Sequence, residues 1–345
     1  MVQAHSASAV VAAQPGISQE LERRIERFIE TFEKLRKRHR WSDTSILERS
    51  ALALAAVRNR ADEMEAEFER AADVLKRDPA FFATLPGPTR FLLAAIVLAS
   101  GEEAKKALKE LKRVQERLAE RGLGAGEPAA VAGLILYLGS RGKAVGEESI
   151  RKAVALWEKL KDRNWFQADR DDLPMAALLT SSSWDVDTID ERVETIWQGL
   201  LRAKRKAGHA LQFTSHVLTL SRLDEDVVVR RFVHLADELK KRGFKIGHES
   251  YEDVALLALL PSDDASIVAG FERVHRTLRA KKGLRLAPSA TLAVTAGILL
   301  AACLERGSLL GEALSLGLLH NAEVLFQSQA ASIVGFGAAA IAAAS

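Results

Sequence analysis

The chain has 345 residues, 48% of them apolar and 28% charged, so it can form one large globular domain or two ordinary ones. Its net charge of +3, from 49 basic and 46 acidic residues, does not favour binding to nucleic acid through overall charge. The single cysteine, Cys303, excludes an internal disulfide and a cysteine-rich zinc site, and we expect a reducing, cytoplasmic location. Ala, Leu, Glu, Lys and Arg dominate, and because these residues keep most of their freedom in a helix, we expect an all-α fold.

The first 16 residues differ from the rest of the chain. The segment MVQAHSASAVVAAQPG has no basic n-region and only a weak apolar stretch, so it is a poor secretory signal. We expect residues 1–16 to be a disordered tail, followed by a lone helix over 17–38. Residues 17–345 are expected to form a single helical-repeat domain, in which the first and last units differ from the middle ones because they cap the stack.

A pattern of about 40 residues repeats through the middle of the chain. Each unit has a short apolar segment, an acidic turn and then a long amphipathic helix with a basic end. Inside the long helices, apolar pairs four residues apart recur in register, and such a pair marks the face of a helix that docks. The short apolar segments are 91–100, 131–140, 174–183, 214–222 and 253–262. The second members of the apolar pairs are Leu118, Leu160, Leu200, Leu239 and Leu278.

Short apolar helices that alternate with longer amphipathic helices are typical of stacked helical hairpins. The segment 46–76 fits as an earlier hairpin, and the stretch from Ala290 to Ser345 fits as a last, more apolar unit. The chain therefore predicts about seven tandem helical hairpins. Such hairpins form either an open α-solenoid or a closed α/α toroid, and both alternatives are consistent with the sequence.

The charges of the repeat follow the helix ends. Acidic residues gather at the start of the long helices, as in Asp224-Glu225-Asp226, and basic residues at their ends, as in Lys240-Lys241-Arg242. Carboxylates at helix N-termini and cations at C-termini complement the helix dipole, each by about 0.3–1 kcal/mol, and Asp and Ser also cap the N–H groups there. A basic stripe that binds nucleic acid is the alternative interpretation, which we do not favour because no aromatic residues are interleaved with the charges.

Unusual polar residues gather in the turns before three of the short helices. We expect the regular repeat to place them side by side on one rim as a ligand-binding cluster, and they are Asp171, Asp172, Gln212, His216, Tyr251 and Asp253. Asp171 and Asp172 also fit as helix N-caps, and His216 also fits as a buried core histidine. A carboxylate, a histidine and a tyrosine on one rim could act as acid and base, or bind a metal. Their spacing matches no known metal motif, so we predict no metal site and no particular cofactor.

The C-terminal part of the chain is strongly apolar over 292–304, 309–319 and 332–344. Each run is shorter than the ~20 residues that a membrane-spanning helix needs, so we do not expect a membrane protein. We expect terminal helices that close the array, and a homodimer contact through these helices is the alternative.

The middle of the chain resembles a known family. The resemblance rests on WEKLKDRNWFQADRDDLPMAALL (157–179), on the segment 200–246 with its LQFTSH motif, and on YEDVALLALLP (251–261). The family consists of bacterial proteins of about this length and is catalogued only as a domain of unknown function. The resemblance covers most of residues 20–330 and implies a helical fold, and it implies no activity, substrate or catalytic residue.

Two functional hypotheses remain. The first is a binding or scaffold protein that holds a protein or a small ligand on its inner helices or their rim, which is the usual role of a helical array. The second is an enzyme of α/α-toroid type, with its site at the rim around Asp171, Asp172, Gln212, His216 and Tyr251. The chain contains no H-E-x-x-H, G-x-G-x-x-G, Walker or G-x-S-x-G motif, so we favour the binding protein.

Overall fold

A computed structural model describes residues 15–39, 44–55, 61–77, 85, 87–99, 102–124, 126–140, 143–162, 173–180, 182, 184–260, 262–282, 284, 286 and 288–307. Within these residues the protein is all-helical and has no strand, as the composition predicts. The helices are α1 (Pro15–Arg38), α2 (Thr44–Ala55), α3 (Ala61–Lys76), α4 (Gly87–Ala99), α5 (Ala104–Ala119), α6 (Glu127–Gly139), α7 (Glu147–Asp162), α8 (Leu173–Leu179), α9 (Val186–Arg202), α10 (His209–Thr219), α11 (Glu225–Lys241), α12 (Tyr251–Ala258), α13 (Asp264–Ala280) and α14 (Pro288–Gly307). A 3-10 turn, His248–Ser250, leads directly into α12. None of these described helices is long and apolar enough to cross a lipid bilayer.

The helices alternate between two kinds, as the sequence pattern predicts. In α6 every residue from Ala129 to Leu138 is buried, which is the pattern of a helix covered on all sides. In α5 the buried residues form one stripe between Ala107 and Leu118, which leaves the other face in solvent. We name the even-numbered helices α2 to α14 the buried series, and the odd-numbered helices α1 to α13 the amphipathic series. The residues predicted to dock are all buried, namely Leu118, Leu160, Leu200, Leu239 and Leu278.

Each helix of the amphipathic series packs along the helix of the buried series that follows it, from α1 on α2 to α13 on α14. The sequence pattern suggested a different grouping, in which each short helix pairs with the long helix after it and α1 stands alone. Neighbours also contact each other within each series, as α10 contacts α12 and α9 contacts α11. One contiguous cluster of buried apolar side chains runs from Leu21 in α1 to Ala302 in α14.

The first and last pairs of helices are in contact with each other. Helix α14 packs against α2 as well as α1, and α13 packs against α1. At the contact between α14 and α2, a Cβ atom placed on Gly297 would be 2.4 Å from Leu52 Cδ2. An ion pair between Arg273 and Glu22 joins α13 to α1. The helices therefore contact one another in two cyclic orders, one for each series.

Two of the acidic turns cap the helices that follow them. The side chain of Asp185 accepts a hydrogen bond of 2.8 Å from the backbone N–H of Thr188 at the start of α9. Asp263 accepts the same bond, also of 2.8 Å, from Ser266 at the start of α13. The hydrogen bonds from Thr188 and Ser266 hold the pKa of these two carboxyls below the usual range. Capping is confirmed at these two positions, whereas Asp224 at the start of α11 makes no side-chain cap.

Basic residues on α7, α9 and α11 bind the turn before the next helix of the amphipathic series. The side chains of Lys152 and Arg192 donate to the backbone oxygens of Ser182 and Ser221, each at 3.2 Å, in the turn before the next amphipathic helix. Arg231 donates to Ser262 O in the equivalent turn. These cations are one repeat apart, so neighbouring units are joined by the same contact.

The basic helix ends take part in the same way. They form ion pairs with carboxylates of the next amphipathic helix, and these are Arg38–Glu65 at 2.9 Å, Arg205–Asp237 at 2.9 Å and Arg242–Glu272 at 2.8 Å. Interaction with the helix dipole is therefore only part of the explanation for the charge pattern, because these ion pairs also join adjacent helices of the amphipathic series.

Several sequence predictions concern residues outside the described part of the chain. These are most of the tail over 1–16, the turn with Asp171 and Asp172, and the apolar segments over 309–319 and 332–344 with their homodimer contact. The helix predicted over 17–38 is observed as α1, and the apolar run over 292–304 lies within α14.

Candidate functional site

Four of the six predicted site residues lie on two adjacent helices of the buried series. Gln212 and His216 are on α10, Tyr251 and Asp253 are on α12, and these two helices pack against each other. Asp171 and Asp172, which complete the predicted cluster, are outside the described residues. The part of the predicted site that the structure describes is therefore the contact between α10 and α12.

Helix α10 carries an unusual number of buried polar side chains. Its hydroxyl groups are satisfied by the helix itself, since Thr214 donates to Ala210 O at 2.7 Å, Ser215 to Gln212 O at 2.7 Å and Thr219 to Ser215 O at 2.8 Å. Such bonds to the backbone of the preceding turn are the usual solution for a hydroxyl inside a helix. These hydroxyls therefore need no further partner.

Gln212 and His216 are too long to be satisfied in this way. They are 5% and 1% exposed, and because they are four residues apart they lie on the same face of α10. Gln212 Oε1 and His216 Nε2 are fully buried and have no hydrogen-bond partner among the described residues. A buried polar atom without a partner costs about 1–3 kcal/mol of stability, so a pair of them on one face is a feature that calls for a functional explanation.

The imidazole of His216 is uncharged at neutral pH. Burial lowers its pKa to about 4, because the charged form would lose its hydration without gaining a counter-ion. A neutral imidazole has one nitrogen that donates and one that accepts, so Nε2 can take either role with a ligand. The geometry supports an uncharged hydrogen-bonding group at this position.

The polar residues of α12 differ in their surroundings. The Tyr251 ring is buried and meets the Phe232 ring of α11 edge to face, with 5.6 Å between the ring centroids, so it packs between the two series. Asp253 is buried and has a partner of its own. Neither residue shows the unpartnered buried atoms of Gln212 and His216.

The sequence patterns missed Glu252, which lies between these two residues. Its side chain is half-buried, and burial raises the pKa of its carboxyl to about 7, while the Arg49 guanidinium partly opposes this effect. The described residues offer Glu252 no hydrogen bond and no ion pair.

Arg49, which is distant from Glu252 in the sequence, acts electrostatically on its carboxyl. Arg49 is half-buried on α2, next to Ser50, whose Oγ is fully buried and has no hydrogen-bond partner within the described ranges. Helix α14 packs against both α2 and α12 and so lies between the two charged residues in the order of the buried series. A charged residue within a short apolar helix is the sequence feature that would have identified Glu252 and Arg49, because most helices of the buried series have few charged residues.

The described residues contain no metal cluster, and their outer groove lies away from this site. No group of three or more His, Cys, Asp or Glu side chains in the described part of the chain could hold a metal ion. A groove of about 320 Å³ lies on the outside between α9 and α11, lined by Gly199, Val229 and charged residues of both signs such as Asp226 and Arg230. None of the unpartnered atoms of Gln212, His216 and Ser50 belongs to this groove.

Comparison of the chain with the curated proteins and with the solved structures finds no match. A family model described as a protein of unknown function (DUF4003) matches residues 31–331, which is most of the chain. This match confirms the resemblance seen over 157–261, and the helical structure fits it. The chain therefore belongs to the DUF4003 family of proteins of unknown function.

Proposed function

We propose that the protein is a closed α/α toroid of seven helical hairpins that binds a small polar ligand inside its ring. The proposal for the architecture is supported by the two cyclic orders of contact, in which α14 returns to α2 and α13 returns to α1. In this arrangement the buried series forms the inner ring and the amphipathic series the outer ring. The charged outer surface and the clamps between neighbouring units keep the ring together.

The observation that carries the proposed function is the pair of unpartnered atoms on α10. Gln212 Oε1 and His216 Nε2 are one helical turn apart, fully buried and without hydrogen-bond partners in the part of the chain that the structure describes. A ligand that bonds to both atoms would remove a cost of about 1–3 kcal/mol for each of them, and this gain adds directly to its affinity. Glu252 lies on α12, the helix that packs against α10.

An enzyme remains the second candidate, and Glu252 favours it. A carboxyl with a pKa near 7 can both accept and donate a proton at physiological pH, which is the property of a general acid and base. The binding role ranks first because it rests on two unpartnered buried atoms, whereas the enzyme rests on Glu252 alone.

A ligand screen with matched variants tests the binding function. Thermal unfolding of the wild-type chain is measured with a broad set of metabolites and metal ions, next to Gln212→Leu and His216→Leu. Both variants remove an unpartnered polar atom without shortening the side chain much, so we expect them to fold with equal or higher stability. Any compound that stabilises the wild type through this site should stabilise the two variants by less.

Gln115→Leu is the control, since Gln115 is also a buried glutamine but lies on α5 and donates to Gly126 O at 3.5 Å. We expect its response to ligands to equal that of the wild type. Identical ligand responses in all four proteins, or no response to any compound, would contradict the proposed function. Turnover of a stabilising compound that is lost in Glu252→Gln would favour the enzyme instead.

A further inference from the structure

Three helices of the amphipathic series carry a carboxylate at the same position near their start. Counted back from the docking leucine of each helix, this position holds Glu147 on α7, Asp187 on α9 and Asp226 on α11. Glu147 forms an ion pair with Arg121, which follows α5, and Asp187 forms one of 2.7 Å with Lys159 of α7. Asp226 has no ion pair and no hydrogen bond within the described residues. One unit of the array therefore lacks a contact that the two units before it make.

Two small residues on α9 explain the missing cation. In the register of the docking leucines, Gly199 takes the place of Lys159, and Ala203 takes the place of Arg121. Neither has a side chain that can reach the next helix of the series. Gly199, Ala203 and Asp226 all line the groove of about 320 Å³ between α9 and α11. This groove is therefore a place from which a long basic side chain is missing.

The floor of the groove suits an aliphatic chain. It includes Gly199, Ala203, Val229 and Val233, and Val229 is buried. A lysine side chain lays its methylene groups on apolar surface of this kind and keeps its ammonium group in water. A volume of about 320 Å³ lies near the lower limit for ligand pockets, so the ligand is small. The floor and the carboxylate of Asp226 together fit an alkylammonium group.

Two cations in the same groove add a second requirement. Arg202 and Arg230 line the groove and have no ion pair and no hydrogen bond in the part of the chain that the structure describes. The equivalent positions of the preceding unit are acidic, namely Asp162 and Glu191. The two guanidinium groups would repel a ligand whose only charge is positive. The ligand must therefore carry an anionic group in addition to its ammonium group.

The charges and the floor of the groove together define a class of ligand. We infer that the groove between α9 and α11 binds a small aliphatic amino acid of the lysine type, with an ammonium group at the far end of its chain. The ammonium group binds Asp226, the chain covers the apolar floor, and the carboxylate binds Arg202 and Arg230. The other polar residue of the groove, His234, contacts Asp264 of α13 at 2.9 Å and is not required. This site lies on the amphipathic series and is independent of the ligand proposed for the buried series.

Four probes that differ in their charged groups test the class. Free lysine and 6-aminohexanoate carry both charges on an aliphatic chain, whereas hexylamine has only the ammonium group and hexanoate only the carboxylate. Binding to the full chain is followed by NMR titration of valine methyl groups at low salt, because Val229 and Val233 lie in the floor of the groove and salt screens exposed charges. We expect lysine or 6-aminohexanoate to bind about two- to fivefold more tightly than hexylamine or hexanoate, since each exposed charge pair contributes modestly.

Substitutions at Gly199 locate the site. Gly199→Lys restores the side chain that Lys159 contributes in the preceding unit, so it should fill the groove, bind Asp226 and abolish binding of the probes. Gly199→Ala is the matched control. Both variants place a Cβ atom 3.2 Å from Val229 Cγ2 and so require the same small shift of that side chain, but alanine leaves most of the groove empty. We expect Gly199→Ala to retain binding.

The exposed charges provide a second set of variants, which keeps the test informative if circular dichroism shows that Gly199→Lys does not fold. Asp226→Asn should weaken binding of the amino acids and of hexylamine by about two- to fivefold and leave hexanoate unaffected. Arg230→Gln should weaken binding of the amino acids and of hexanoate by about the same factor. Gln212→Leu should leave all four probes unaffected, so the failure of this inference and the failure of the proposed function are distinguishable.

Three results would overturn the inference. Hexylamine or hexanoate that binds as tightly as the amino acids would remove the need for two opposite charges. Amino-acid binding that survives Gly199→Lys, or that is unaffected by both Asp226→Asn and Arg230→Gln, would place the ligand outside the groove. Absence of binding by all four probes would show that the groove takes no ligand of this class.

Discussion

Gly297 lies where the last helix of the buried series, α14, packs against the first, α2, and its substitution tests how closely these two helices pack. A methyl group at Gly297 would lie 2.4 Å from Leu52 Cδ2, 3.1 Å from Cδ1 and 3.2 Å from Cγ, whereas carbon atoms in contact are normally about 3.5–4.0 Å apart. Leu52 is buried, so it must change its rotamer or the two helices must separate. We expect this overpacking to cost about 1–3 kcal/mol, against a gain of about 1 kcal/mol from the better helix propensity of alanine.

Gly133 is the matched control for this substitution. It is also buried within a helix of the same series, but a Cβ atom at this position would meet Val114 Cγ1 at an ordinary 3.5 Å. Gly133→Ala should therefore keep the propensity gain of about 1 kcal/mol. The two alanine variants should differ by about 1–3 kcal/mol in the free energy of unfolding, with Gly297→Ala the less stable.

Urea denaturation followed by circular dichroism measures this difference. The slope of the free energy of unfolding against urea concentration should be the same in all variants if unfolding is two-state. A double-mutant cycle adds a second readout, because Leu52→Ala removes the side chain with which the new methyl group collides. We expect Leu52→Ala to destabilise the Gly297→Ala protein by less than it destabilises the wild type. If Gly297→Ala is as stable as Gly133→Ala, or if the two changes are additive, α14 does not pack closely on α2 and the ring-closure argument is wrong.

Three further predictions follow from the charges. Burial raises the pKa of the Glu252 carboxyl from 4.5 to about 7, so ionisation of this group opposes folding above pH 4.5. Glu252→Gln should therefore raise the free energy of unfolding by roughly 2–3 kcal/mol at pH 8 and leave it unchanged at pH 4. Thermal unfolding at both pH values measures this difference. Burial lowers the pKa of His216 from 6.5 to about 4, so on acidification the unfolded chain binds a proton at a higher pH than the folded protein does. The wild type should therefore lose about 3 kcal/mol of its free energy of unfolding between pH 6.5 and 4 through this group. Denaturation of His216→Leu over the same pH range should lack that loss. Arg231 donates a hydrogen bond to Ser262 O and forms an ion pair with Asp264 at 2.9 Å. Arg231→Gln should therefore lower the free energy of unfolding by about 1–2 kcal/mol in urea denaturation, whereas Arg230→Gln, at an exposed neighbouring residue, should change it by no more than about 0.5 kcal/mol. Equal effects of the two substitutions would mean that these contacts of Arg231 do not hold the helices together.

The effects of Glu252 and His216 have opposite signs over an overlapping pH range. Between pH 4.5 and 6.5 the ionisation of Glu252 lowers the stability as the pH rises, and the deprotonation of His216 in the unfolded chain raises it. The two contributions partly cancel in the wild type, so each single variant should show a steeper dependence of stability on pH than the wild type does. A steeper curve in the wild type than in either variant would contradict the pKa shifts assigned to these groups.

The repeating helices were predictable because their pattern is local. Leu118, Leu160, Leu200, Leu239 and Leu278 were identified from spacing alone, and all are buried. The short segments without a polar face became helices of the buried series, as α6 shows, because a helix that is apolar all round is stable only when it is covered on every side. The helix caps at Asp185 and Asp263 agree with the general prediction that acidic residues cap the long helices, and each rests on a residue only three positions away.

The contacts between distant residues required the tertiary structure. Gly297 meets Leu52 and Arg273 meets Glu22 across almost the whole chain, and no local pattern marks one glycine or one arginine among many as the contact of the last unit with the first. The same holds for the candidate site: the sequence pointed to Gln212 and His216, but whether a partner satisfies them depends on the helices packed around them. Glu252 and Arg49 are far apart in the sequence, and only the packing of α14 against both α12 and α2 brings the Arg49 charge near enough to act on Glu252.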